Sequence, residues 1–266
     1  MKKILLLLCI TAICNILGYS QNSVRIVCMG NSITNGKVVS GKITELSYRF
    51  WLWEKLDSAG VNVDMVGHNP YWFGENAGSM VTTPKSKYTS KVFDRDHDSY
   101  YGIKSGGLLN GDASTGWTGK ALPKFSERLN TFMAPDIALL HIGTNDSDGE
   151  VNSTVANIKS VIDELRKKNP KVIVFVAKLI TTWSAVNSKV DQIVLDKSTS
   201  ASPVIAVDLA TGFVNDPNSP NAMTLDWVHQ NEKGQKFMAV RWFKAIQKQI
   251  GLPTGFAESF FPSEAI

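Results

Sequence analysis

The chain predicts an α/β fold, a three-layer α/β/α sandwich around a central, mostly parallel five-stranded sheet, and two observations carry that prediction. Five short runs rich in β-branched residues, at 24–29, 61–66, 137–142, 172–177 and 204–207, recur along the sequence, and all but the second are almost continuously apolar. Between them, apolar residues return at helical spacing. Strands covered on both faces read as unbroken apolar runs, and strands alternating with helices at these lengths build a doubly wound parallel sheet.

The elements follow in order. Residues 1–20 hold the basic pair Lys2 and Lys3, an apolar run from Ile4 extended through Leu17, and small or polar residues up to Ser20. This reads as a secretory signal peptide removed near Ser20 and Gln21. The uninterrupted run falls short of the ~20 residues a bilayer span needs, so the mature chain, without a membrane span, is expected to be secreted or periplasmic. Ile13 stands before Cys14 where a lipoprotein signal has a small residue. Removal of Cys9 and Cys14 leaves Cys28 alone, so no internal disulfide is available, and Cys28 within the first apolar run reads as an inert buried thiol.

Leu46, Phe50, Trp53 and Leu56 predict the first helix, stopped by Gly60; the alternating run 61–66 then suits a strand near the sheet edge. Val151, Val155, Ile158, Ile162 and Leu165 predict a second helix, stopped by Pro170, and Phe237, Val240, Phe243, Ile246 and Ile250 a last one. Residues 21–250 thus form one domain, interrupted by a long insertion at 68–118 that carries Tyr71, Trp72, Phe73, Tyr100, Tyr101 and Trp117. Long loops in compact domains are functional or disordered, and so many aromatics favour an ordered loop bordering a site. The tail 251–266 has Phe260 and Phe261 but no period.

A chain of 266 residues, 43% apolar and 20% charged, is long enough to bury its own core, and its composition excludes disorder, collagen and coiled coil. Without Lys2 and Lys3 the 28 basic residues fall to 26, against 24 acidic, which gives no footprint for a nucleic-acid partner.

In open α/β sheets ligands bind beyond the carboxyl ends of the strands, so the residues after each run matter most. Ser32 follows the first strand and Gly30, in place to present a hydroxyl at the mouth of the sheet. Asn145 follows Gly143 after the third, where a side-chain amide can meet a developing oxyanion. Asp226 precedes His229 by three residues, a spacing at which a carboxylate fixes the imidazole tautomer, and Asn231 is in place to cap the last helix. Gly116 offers a backbone N–H with no side chain in the way. Together these supply attack, proton transfer and oxyanion stabilisation, the parts that acyl transfer requires.

Taken in order, GNSIT at 30–34, STGW at 114–117, GTND at 143–146 and DWVH at 226–229 resemble blocks I, II, III and V of the SGNH (GDSL-like) hydrolases. The resemblance covers nearly the whole chain after residue 20 and implies the flavodoxin-like fold of that family. It also implies roles: Ser32 the nucleophile, His229 the base, Asp226 its orienting partner, and Ser32, Gly116 and Asn145 the oxyanion hole. YRFWLWEKL, VDMVG, DRDH, HIGTND and VHQNEKGQKFMA are similar to the carbohydrate esterase family 3 branch that includes acetylxylan esterases. The implied substrate is an O-acetylated polysaccharide or oligosaccharide, with Trp117, Tyr71 and Trp72 the expected substrate-binding aromatics. The chain departs from the family in three places. Asn31 stands where Asp is usual, Gln230 replaces a proline that often follows the catalytic His, and an insertion between His97 and Gly116 leaves Gly102, Gly106 and Gly107 as alternative oxyanion glycines.

No cofactor or metal is expected: His68, His97, His141 and His229 are dispersed, and Asp96, His97 and Asp98 read as a salt-bridge cluster. The competing readings are a lipase, arylesterase or thioesterase with the same machinery, set apart by its acyl pocket, and a non-catalytic glycan-binding protein, which would be expected to lose the nucleophile or the base.

Overall fold

The computed structural model describes residues 23–113 and 121–251. The expected signal peptide, Gly116, Trp117 and the tail beyond Gly251 lie outside the described residues.

The five expected strands form one parallel ladder in the order β4, β1, β6, β7, β8, with β1 at Val24–Gly30, β4 at Val63–Val66, β6 at Ile137–His141, β7 at Ile173–Lys178 and β8 at Val204–Asp208. The alternating strand β4 lies beside β1 at one end of the order, where a half-covered strand is expected. The insertion adds a sixth strand, β5 at Asp98–Ser99, whose residues pair with Met29 and Gly30. Two residues are too few for a hydrophobic period to announce. A short antiparallel hairpin, β2 at Lys37–Val39 and β3 at Lys42–Glu45, stands outside the sheet. Its turn, Ser40 and Gly41, has positive φ at both residues, as tight hairpins prefer.

Helices cover the sheet in two groups. Helix α2 (Ser47–Ser58) packs on α7 (Glu232–Ile250), with the Tyr48 and Trp242 rings 6.1 Å apart, and α1 (Ser32–Asn35) lies against α2. The second group is α5 (Val151–Lys168) with α3 (Ser105–Asn110), α4 (Phe125–Arg128) and α6 (Val190–Lys197). Of the apolar stripe read from its sequence, Ile158, Ile162 and Leu165 are buried on α5, together with Val161, while Val151 and Val155 are half-buried. Asn231 caps α7 by accepting from the Gly234 N–H at 3.0 Å. Cys28 is fully buried, and burial pushes its thiol up to about 12.

Asp98, expected in a salt-bridge cluster with Asp96 and His97, takes its ion-pair partner from outside that run. It is paired with Arg128, both side chains fully buried, at 2.8 and 2.9 Å. Arg128 also donates to the carbonyls of Leu108 and Pro123, so one guanidinium ties β5, α3 and the approach to α4.

His141, at the end of β6, is fully buried with both ring nitrogens unpartnered among the described residues, and burial lowers its pKa to about 4. Its unfolded value near 6.5 lies above the folded one, so its contribution is intact above pH 6.5 and is lost as pH falls toward 4. Asp94 acts in the opposite sense, because burial raises its carboxyl to about 6. The test is therefore a difference. Urea unfolding at pH 7.5 and 4.5 should show wild type losing about 2–3 kcal/mol more than His141→Leu on acidification. Equal losses would refute a buried neutral His141.

Candidate active site

At the carboxyl end of β1 the backbone crowds so closely that only glycine fits: a Cβ on Gly30 would lie 2.3 Å from the His141 carbonyl oxygen. Asn31 then caps α1, its Oδ1 accepting the Ile33 N–H at 3.1 Å and its carbonyl the N–H groups of Thr34 and Asn35. The departure from Asp therefore keeps the turn. Ser32 is the first residue of α1, its N–H at a helix start and free of an intrahelical partner.

The far end of α1 is held by groups that sequence reading missed. Arg49, fully buried, donates from Nε to Thr34 O at 2.8 Å, from Nη2 to Asn35 O at 3.0 Å and from Nη1 to Arg95 O at 2.7 Å. Burial lowers its guanidinium to about 10. Ser47 adds a bond to Thr34 O at 2.8 Å. A buried arginine is the signal to be had, and only neighbours distant in sequence give it meaning.

His229 comes from a loop closed by the Leu225 N–H on its carbonyl at 2.7 Å and by the Thr224 and Gln230 bridge. Its Nε2 lies 3.0 Å from Ser32 Oγ and its Nδ1 2.7 Å from Asp226 Oδ2. With Nδ1–H donating to the carboxylate, Nε2 accepts the seryl proton. Asp226 Oδ1 also accepts the backbone N–H groups of His229 and Val228. Burial pushes the Asp226 carboxyl up, but these bonds and the nearby imidazole outweigh it and hold the group below its ordinary range. Gln230, in the family's proline position, donates from Nε2 to Ile33 O at 2.7 Å and so fastens the histidine loop to the helix that carries Ser32.

Asn145 sits on the loop after β6, where Gly143 adopts φ 127° and a Cβ would meet Val186 at 2.9 Å. Its Nδ2 donates to Ile103 O at 2.9 Å, leaving its second N–H for another acceptor. Asp146 binds Ser105 through its N–H at 3.0 Å and its Oγ at 2.6 Å, joining the two loops. Between β5 and α3 run Tyr100, Tyr101 and Gly102. Tyr100 donates its N–H to Gly30 O, and the Tyr101 ring stacks on His229 at 5.5 Å and on Phe73 at 4.1 Å. Gly102, with φ 75°, thus lies between a residue stacked on His229 and one bonded to Asn145.

Of the expected substrate aromatics, Trp72 is corrected: it is 1% exposed, its Nε1 donates to Leu46 O, and Arg95 covers its ring at 4.1 Å. A ring packed on both sides has no face for a sugar. Tyr71 is half-buried on the wall of a cleft of about 610 Å³ shared with His68, Asn76, Tyr100 and Pro123. Glu45 is buried with Oε2 unpartnered among the described residues; burial raises its carboxyl, opposed by the nearby His229 and Lys37.

Comparison with known proteins identifies the family. The model of the GDSL-like Lipase/Acylhydrolase family matches residues 26–242. A multidomain esterase of Ruminococcus flavefaciens is 31% identical over 163 residues, 58% of this chain and 18% of that protein, so the chain spans less than a fifth of that relative. The carbohydrate esterase family 3 structure from Talaromyces cellulolyticus is similar with TM-score 0.60 and 29% identity, covering 86% of this chain and 98% of the other. The family 3 carbohydrate esterase of Clostridium thermocellum gives 0.58 and 25%, over 86% and 99%. The family model covers most of the chain and spans the loops that carry Ser32, Asn145 and His229; the chain belongs to the GDSL-like lipase/acylhydrolase family.

Proposed function

We propose that the chain is a secreted serine esterase that removes O-acetyl groups from a polysaccharide or oligosaccharide such as acetylated xylan. The observation that carries the chemistry is the relay from Ser32 Oγ through His229 to Asp226, at 3.0 and 2.7 Å. Likeness to two family 3 carbohydrate esterases supports the substrate class, and the first twenty residues support export.

His229 Nε2 takes the proton of Ser32 as Oγ attacks the acetyl carbonyl. The oxyanion is held by the Ser32 N–H, the Asn145 amide and the N–H of Gly102, one of the alternatives to Gly116, which lies outside the described residues. Asp226 stabilises the imidazolium without taking its proton. The sugar alcohol leaves with that proton, forming the acetyl-enzyme. Water then attacks, giving its proton to His229, and the seryl oxygen recovers a proton as acetate departs.

Hydrolysis of p-nitrophenyl acetate and p-nitrophenyl palmitate, with acetate release from acetylated xylan alongside, tests the reading. Turnover of the acetyl ester and acetate from xylan are expected. Preference for the palmitate would make the protein a lipase.

A further inference from the structure

Two tryptophans among the described residues expose more than half their surface, Trp183 at 54% and Trp227 at 51%, while Trp53, Trp72 and Trp242 are buried. Both exposed indoles lie at the carboxyl edge of the sheet, where the triad is. Trp227 stands between Asp226 and His229 and adopts φ 72°, a left-handed conformation that a bulky residue occupies only under constraint. The constraint is present: Asp226 Oδ1 accepts the N–H groups on the far side of Trp227, at 3.2 Å from Val228 and 2.7 Å from His229. Strain held at such a position, with an apolar ring left in water, motivates a functional reading.

Trp183 occupies the loop after β7. That loop is fixed by Asn187, which bonds both the N–H and the carbonyl of Leu179, and by the Ala185 N–H on Asp148. Thr181 Oγ1 meets Thr144 Oγ1, beside Asn145, at 3.3 Å. The two tryptophan loops are also joined: Asn215 donates to Ile180 O, and Thr224 donates to Asn215 O. Both indoles therefore sit on pre-set backbone linked to the catalytic loops, and on those loops Leu225 adds further exposed apolar surface.

We infer that Trp183 and Trp227 form a stacking platform for the sugar rings that flank the acetylated residue, a glycan subsite over the β6 to β8 side of the nucleophile. The inference rests on the carbohydrate reading above. An indole offers a broad apolar face to the C–H face of a pyranose, and loops already fixed lose little freedom on binding. Tyr101 and Phe73 hold the other side of His229, so the chain is expected to cross from the cleft at Tyr71 over the triad to the indoles.

The test uses Trp183→Ala, Trp227→Gly and the double variant of the full chain, with Trp227→Tyr as the conservative control. Glycine adopts φ 72° freely, so folding of Trp227→Gly is safeguarded, and its Tm should equal or exceed that of wild type. For acetylated xylo-oligosaccharides the double variant should show KM raised about 10- to 100-fold, a loss of roughly one to two stacking contacts. The ratio of kcat/KM on the oligosaccharide to that on p-nitrophenyl acetate should fall tenfold or more, and Trp227→Tyr should recover most of it. Parallel loss on both substrates, or an unchanged ratio, would overturn the platform.

A second readout separates this from failure of the esterase reading. Calorimetric titration of the Ser32→Ala protein with xylohexaose, cellohexaose and mannohexaose measures glycan binding without chemistry. Binding that disappears when both tryptophans are also removed supports the platform even if wild type releases no acetate from xylan. No binding of any of the three overturns it.

Discussion

Ser32→Ala should lower kcat/KM for p-nitrophenyl acetate by about 10⁴- to 10⁶-fold, the loss seen when the nucleophile of an interdependent triad is removed. Ser32 Oγ is the atom that His229 Nε2 faces at 3.0 Å, and no other hydroxyl meets that nitrogen among the described residues. Without it the imidazole has nothing to deprotonate but water. In the same assay Asn145→Ala should cost about 100- to 1,000-fold in kcat, the effect of deleting one oxyanion donor. The two losses differ because one removes the bond-forming atom and the other only a charge-stabilising N–H. Steady-state kinetics decide both: a Ser32→Ala protein with wild-type turnover would mean that the chemistry runs elsewhere.

The second large effect is on stability. Arg128→Met should destabilise the fold by about 3–5 kcal/mol, because it leaves the Asp98 carboxylate buried and uncompensated. Both side chains are fully buried, and Arg128 bonds Asp98 twice. Urea denaturation at neutral pH measures the loss, and the Asp98→Asn, Arg128→Met double variant should recover part of it, since the charge is then gone. The pair lies next to the site in sequence, as Asp98 opens β5 and Tyr101 and Gly102 follow within four residues. Arg128→Met should therefore also reduce kcat at temperatures where the protein remains folded. A double variant no more stable than the single one would show that the ion pair is not the source of the loss.

The same loop shows where sequence reading stops. Periodicity placed all five long strands and the three longest helices, because each buries a whole face and the apolar pattern records that burial. It passed over β5, two residues long, and α6, one short stretch at Val190–Lys197. The aromatics of the insertion looked alike in sequence. In the fold Trp72 is a core residue under Arg95, Tyr101 stacks on His229, and Trp183 and Trp227, which sequence reading had not singled out, carry the exposed indoles among the described residues. Composition gives an aromatic its capacity to stack, and only packing gives its direction.

By itself the sequence determined the sheet and its apolar strands, because backbone patterning is local, and it offered Ser32, Asn145, Asp226 and His229 as candidates, the first two from their places after strands and the last two from their spacing, with the roles of all four implied by the resemblance to the family's blocks. Tertiary structure alone decided that Ser32 and His229, 197 positions apart, meet at 3.0 Å. It also decided that Arg49 and Gln230 clamp α1, that Ile103, next to Gly102, bonds Asn145, and which aromatic faces meet water. Those are relations between distant segments, fixed by how the layers close on one another.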